Sequence, residues 1–405
     1  MSKSQLIQLE YEKHPAFIFN AKPYSINLEK ISAFDKTYKM IADCSDTKKT
    51  DFQNINYDLM RLLSEIFDEM RVQVDDEYEL MFINELEIKS TNLLKTEICF
   101  YRSIDNKKIS KEPEGEFLNA LKTERHFFGA LDKESIAEIV KLSSDVVDML
   151  SNRAIDGKLT REDLSINSGK VVSDIVAVLN REFSSQGVLD ALSGYMGNKY
   201  KVGGLALELS SPNATWWKST FECTDSPKTI YAHLDESIEF PKAIVYISEV
   251  GERNGQTSCY PGAYECLSLN ALQELIGRVI SAVGSGEQCK LNDYYAKKYH
   301  QSMSSERFRQ HFMKLPAELR FNSHFGWDVI ADSDIERSLL KKEKKMSGRG
   351  TFIVFDGAKL LHRGGLLEEG KRVVLQVVFI KNPTIIQKIV TFPRRVISKI
   401  QRLLK

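Results

Sequence analysis

Apolar residues change their spacing near Lys201, from a helical period to short alternating runs, and that switch predicts a chain in which a helical portion precedes a sheet. From Ile55 to Val74 the residues Leu59, Leu62, Leu63, Ile66, Phe67 and Met70 form one helical stripe. Leu131 to Leu150 repeats it, with Asp132 placed to cap, and Val171 to Phe183 and Val188 to Tyr195 add two more helices. Glu77 to Tyr101 fits helix and strand alike and receives no assignment. After Lys201 come Leu205–Leu209, Trp216–Cys223, Ala243–Ile247, Thr257–Tyr260, Thr351–Phe355 and Val373–Ile380, short β-rich runs bounded by Gly, Pro, Asn and Asp clusters. Between Cys266 and Lys345 the helical period returns in Leu267–Val283, Ser304–Met313 and Asp334–Lys344. The expected class is α+β, in three parts: a mainly helical region 1–195, a sheet domain 196–382 with a helical insertion at about 266–345, and a tail 383–405.

Charge narrows the partners. The 56 Lys and Arg balance 56 Asp and Glu, so no overall positive field would gather a polyanion, and no nucleic-acid partner is expected. The six cysteines show no CxxC or other short metal spacing, and buried thiols of a reducing compartment are the expectation. The beginning, MSKSQLIQLEYEKHP, has no apolar leader core, and no stretch reaches the ~18 apolar residues needed to cross a bilayer, so a cytoplasmic location is expected. The tail carries Lys388, Arg394, Arg395, Lys399, Arg402 and Lys405 with no acidic residue, above an apolar helical face of Val396, Ile397, Ile400, Leu403 and Leu404. Two readings of it stand: peripheral contact with the inner face of a membrane, or a terminal helix docked on the sheet.

Chemistry centres on two of the seven histidines. His233, in YAHLDES, stands two residues before Asp235, and His362 stands in FIVFDGAKLLHRGG. On a pleated strand residues i and i+2 share a face, so His233 and Asp235 direct an imidazole and a carboxylate to one side. His362 from a distant strand would complete a set of two histidines and one carboxylate, which leaves adjacent positions open on a ferrous ion. Arg372 lies ten positions after His362, beyond a glycine-bearing turn, where a hairpin returns it beside the histidine. Its planar guanidinium suits the far carboxylate of a dicarboxylate cosubstrate. Trp216 and Trp217 could wall the pocket, one at most, since neighbours on a strand face opposite ways. The remaining histidines of the insertion, His300, His311 and His324, read as surface or core residues, with His324 also placed to meet substrate from a lid.

The order HLDES (His233–Ser237), NGQTSCYPGAY (Asn254–Tyr264), GTFIVFDGAKLLHRGG (Gly350–Gly365) and Arg372 resembles the phytanoyl-CoA dioxygenase-like branch of the iron(II)/2-oxoglutarate oxygenases. The resemblance covers about residues 200–382, and Ala263 and Tyr264 replace the Ser-His usual after the Pro-Gly of that family's turn. It implies a double-stranded β-helix (jelly-roll, cupin-like) core, His233, Asp235 and His362 as iron ligands and catalytic centre, and Arg372 as the partner of 2-oxoglutarate. A hydroxyl residue often assists such an arginine; Thr257 and Lys218 are the candidate cosubstrate-binding residues here. The implied activity consumes Fe(II), 2-oxoglutarate and O2 to hydroxylate a small or lipid-linked metabolite, with release of succinate and CO2. Two alternatives stay open: a non-catalytic β-helix that binds a sugar or peptide, and a protein hydroxylase.

Overall fold

In the computed structural model, both sides of the Lys201 switch contribute strands to a single sheet. The structure describes residues 9, 11–42, 51–104, 115–154, 162–212, 228–229, 231–282, 303, 305–325, 329–365 and 367–382. The expected strand Trp216–Cys223 and the basic tail lie outside them.

The leading helices are α1 (Leu28–Ala42), α2 (Phe52–Arg71), α3 (Glu77–Arg102), α4 (Glu116–Glu124), α5 (Lys133–Arg153), α6 (Lys170–Ser185) and α7 (Val188–Met196). Asp132 caps α5 as its position predicts, accepting from the Ser135 amide. The ambiguous stretch is α3, whose N-cap Asp76 accepts from the amides of Tyr78 and Glu79. Its buried stripe includes the polar residues Glu79, Ser90 and Glu97, which is why no clean apolar period marks it. Among the cysteines, Cys259 and Cys266 are buried as expected, whereas Cys99 is exposed on α3.

The strands are β1 (His126–Ala130), β2 (Ser165–Ile166), β3 (Tyr200–Ser210), β4 (Lys242–Tyr246), β5 (Ser258–Tyr260), β6 (Lys344–Lys345), β7 (Thr351–Phe355), β8 (Leu361–Arg363) and β9 (Arg372–Lys381). One antiparallel sheet has the order β1-β7-β4-β9-β3-β2 and a second the order β6-β5-β8. Two strands of the larger sheet, β1 and β2, thus come from the mainly helical region. Between β5 and β7 lie α8 (Ala263–Cys266), α9 (Ala271–Ala282), α10 (Glu306–Lys314) and α11 (Asp334–Leu340). The expected helix Asp334–Lys344 stops at Leu340, and Lys344 and Lys345 instead pair with Cys259 and Ser258. The run Lys341–Lys345 offers no apolar side chain to hold a helix down, so its backbone takes the free edge of β5.

The six-stranded sheet has two faces of different use. Ala243, Val245, Phe352, Val354, Leu375 and Val377 pack into the large core shared with the leading helices. Register places Lys242 opposite Phe355 and Val378, Ile244 opposite Ile353 and Gln376, Tyr246 opposite Val374, and Ser210 opposite Arg372, all on the other face. Tyr246, Ile353, Phe355 and Val374 of that face pack with Cys259 of β5 and Leu360 just before β8, so it looks toward the smaller sheet.

A buried ion network ties the helical layer to this region. Arg278 of α9, 1% exposed, lies 2.6 Å from Glu97 Oε1 of α3, and its Nη1 donates to the Glu236 carbonyl at 2.8 Å. Tyr38 Oη of α1 donates to Glu97 Oε2 at 2.6 Å. Removing one partner strands the other's charge in the core. Arg278→Met is therefore expected to lower stability by about 3–5 kcal/mol, and Tyr38→Phe by about 1 kcal/mol, read as shifts in urea unfolding midpoint.

Candidate metal centre

The segment Ala232–Asp235, which follows the left-handed turn residue Tyr231 (φ 68), is bridged by backbone on both sides. The His233 amide donates to the His362 carbonyl at 2.8 Å and the His362 amide returns the bond at 3.1 Å, while the Asp235 amide donates to Gly357 O at 2.7 Å. On the other side the Leu234 amide donates to Ser323 O at 2.9 Å and the Tyr231 amide to Phe325 O at 2.8 Å. The alternation turns His233 and Asp235 to one side and Leu234 into an apolar cluster with Phe321, Phe325 and Leu361.

His362, more than a hundred positions further along the chain, converges here with the neighbouring pair His233 and Asp235. His233 Nε2 lies 3.9 Å from Asp235 Oδ1 and His362 Nε2 lies 3.9 Å from Asp235 Oδ2. One donor atom from each of the three fits within 4.8 Å of the other two. Both imidazoles are oriented in the same manner: Nδ1 of His233 faces the Tyr231 carbonyl at 2.8 Å and Nδ1 of His362 faces the Leu360 carbonyl at 2.9 Å. A carbonyl can only accept, so each Nδ1 carries the proton and each Nε2 keeps its lone pair turned inward. Burial, with the neighbouring imidazole, pushes His233 down to about 3, and burial also lowers His362. Both rings are therefore neutral donors at physiological pH.

Burial alone would raise the Asp235 carboxyl, but the Lys242 ammonium and the two imidazoles hold it down, at about 2. Lys242 Nζ reaches Asp235 Oδ1 at 2.6 Å. Asp235 Oδ2 is buried and has no hydrogen-bond partner among the described residues. An ionised oxygen buried without a donor calls for a cation, and two neutral imidazoles plus one carboxylate are a donor set for a divalent transition metal.

Gly357 gives Asp235 its room: a Cβ built there would lie 1.7 Å from Oδ2. His324 stacks on His233, with centroids 4.7 Å apart and planes at 13°, which brings the insertion against the centre. Phe355 packs against the other imidazole, with its ring centroid 4.6 Å from that of His362.

Arg372 begins β9 beside the turn that carries Gly255. Its Nη1 donates to the Gly255 carbonyl and lies 3.5 Å from that of Gly365, and its Nη2 lies 3.3 Å from Ser210 Oγ. The two turns press backbone on backbone: Gly255 has φ +75, and a Cβ on Gly365 would stand 2.0 Å from Gln256 O. Tyr246, on the same sheet face, is buried, which raises its phenol, while Arg372 nearby opposes the rise. Thr257 enters this region through its backbone amide, which donates to Tyr246 Oη at 2.5 Å. Ser210 brings a hydroxyl to the guanidinium, and Lys218 lies outside the described residues. Ser210 and Tyr246 were not legible as site residues, because only the pairing of β3 and β4 with β9 brings them beside Arg372.

No family model matches the chain, and no curated protein matches it. Among solved structures it is similar to EctD from S. alaskensis, at TM-score 0.37 and 11% identity over 67% of this chain and 78% of that one. EctD has been seen with bound Fe, and with 2-oxoglutarate and 5-hydroxyectoine. AviO1 from Streptomyces viridochromogenes Tue57 gives TM-score 0.35 and 10% identity over 70% of this chain and 99% of that one. The epimerase SnoN, in complex with Fe3+, alpha ketoglutarate and nogalamycin RO, gives 0.35 and 11% over 68% and 85%. At such identities the functional case rests on the site's own residues. Gly357→Ala is expected to weaken Co(II) binding at least about tenfold by displacing Asp235, measured by titration of the folded variant against the unaltered protein.

Proposed function

We propose that the chain is an iron(II)/2-oxoglutarate-dependent oxygenase, with His233, Asp235 and His362 as the iron ligands and Arg372 as the grip on the cosubstrate. The observation that carries this is the convergence of two inward Nε2 lone pairs on the buried carboxylate of Asp235, whose Oδ2 has no hydrogen-bond partner among the described residues. In this reading the two sheets are the two walls of a double-stranded β-helix, and the resemblance to the phytanoyl-CoA dioxygenase-like branch is a resemblance of motif order.

With iron and the keto acid bound, the centre would supply the oxidising chemistry that turns 2-oxoglutarate and dioxygen into succinate, CO2 and a hydroxylated product. The chain's own contribution is orientation and exclusion of water. The carbonyls of Tyr231 and Leu360 fix the two rings, and Phe355, clustered with Ile353 and Val374, sets an apolar side chain against the His362 ring. Arg372 presents a planar pair of donors, with Ser210 alongside and Tyr246 close by, to a carboxylate. The substrate we propose is a small or lipid-linked metabolite, and the basic tail remains the basis for peripheral membrane contact. Among the described residues no helix is long and apolar enough to cross a membrane. A purely sugar- or peptide-binding module would leave the orphan oxygen of Asp235 without a purpose.

Anaerobic addition of Fe(II) and 2-oxoglutarate is expected to give the weak visible charge-transfer band of a chelated keto acid. His233→Ala should remove it. Arg372→Ala should weaken 2-oxoglutarate about a hundredfold while sparing iron, and Ser210→Ala should weaken it about fivefold. A band indifferent to His233 and Arg372 would refute the assignment.

A further inference from the structure

The two oxygens of Asp235 are unequal. Oδ1 accepts from Lys242 Nζ at 2.6 Å, while Oδ2 is buried with no hydrogen-bond partner among the described residues. Lys242 reaches this point because it opens β4 as the register partner of Phe355, whose ring packs on His362. Its side chain is 34% exposed, against 11% for Asp235, so the ammonium enters from the solvent side with its stem along the sheet.

An ammonium has three donors and no lone pair, so Lys242 cannot itself ligate a metal. What it can do is occupy one carboxylate oxygen. A carboxylate that bound a metal through both oxygens would close one of the positions that the keto acid and dioxygen need. We propose that Lys242 is a positioning residue that restricts Asp235 to a single ligand atom, Oδ2, so that the centre takes three protein donors and keeps its remaining positions open. The inference rests on the metal assignment made above. It carries a cost that can be measured: a cation held beside the centre repels an incoming dication and lowers its affinity. A lysine that served only to tie β4 to the Asp235 strip would affect stability and leave the metal unchanged.

The test uses the full chain with Co(II), whose visible bands report coordination number. Lys242→Met is expected to bind Co(II) about tenfold more tightly, with weaker visible absorption as the carboxylate engages through both oxygens. Lys242→Arg, which keeps a charged donor at Oδ1, should restore the original affinity and spectrum. Lys242→Gln is measured alongside, and it alone decides the affinity question if Lys242→Met does not fold. Spectra and affinities of the uncharged variants that superimpose on those of the unaltered protein would overturn the proposal while leaving the metal centre standing. If the unaltered protein shows no Co(II) band that His233→Ala removes, the metal assignment falls, and this inference with it.

Discussion

Placing an ionised carboxylate in an interior is costly unless every lone pair is answered, and Asp235 is where this fold meets that cost. Oδ1 is answered by Lys242 and lies 3.9 Å from the Nε2 of His233, while Oδ2 lies 3.9 Å from the Nε2 of His362. The surrounding backbone is arranged around that need. Gly357 supplies the space and its carbonyl takes the Asp235 amide, while the reciprocal bonds of His233 and His362 fix the separation of the two rings.

The larger sheet gives these side chains their setting by dividing its two faces between the helix-covered core and the candidate centre. Period-2 alternation sends Val245, Phe352, Val354, Leu375 and Val377 into the helix-covered core. The same alternation sends Lys242, Tyr246, Phe355 and Arg372 toward the smaller sheet. A one-residue slip of β9 would move Arg372 into the apolar core and Val373 onto the opposite face, so the hydrophobic face also fixes the register that places Arg372 on the side of the candidate centre.

The leading helices do more than cover the sheet. Through Glu97 and Tyr38 they reach Arg278, and through Arg278 the Glu236 carbonyl, one residue beyond Asp235. The insertion supplies Arg278 from α9 and His324 beside His233, so it abuts the centre from its own direction. These contacts give the helical region and the insertion a part in holding the site, which a reading of either segment alone does not reveal.

Local pattern alone determined most of the elements, because apolar spacing and capping residues act over a few neighbours: α2, α5 and α6, and strands β3, β4, β7 and β9, follow from it. It also singled out His233, Asp235 and His362, since a His-x-Asp pair on an extended segment turns both groups one way and a second histidine at a strand end is rare in a chain with seven. Tertiary structure decided the rest. The helical state of Glu77–Arg102 depends on distant partners for Glu79 and Glu97 in its buried stripe, and the end of α11 depends on an open edge at β5. Ser210, Tyr246 and Lys242 became part of the site only through strand register, a long-range property set by which faces are buried together, and no spacing along the chain encodes it.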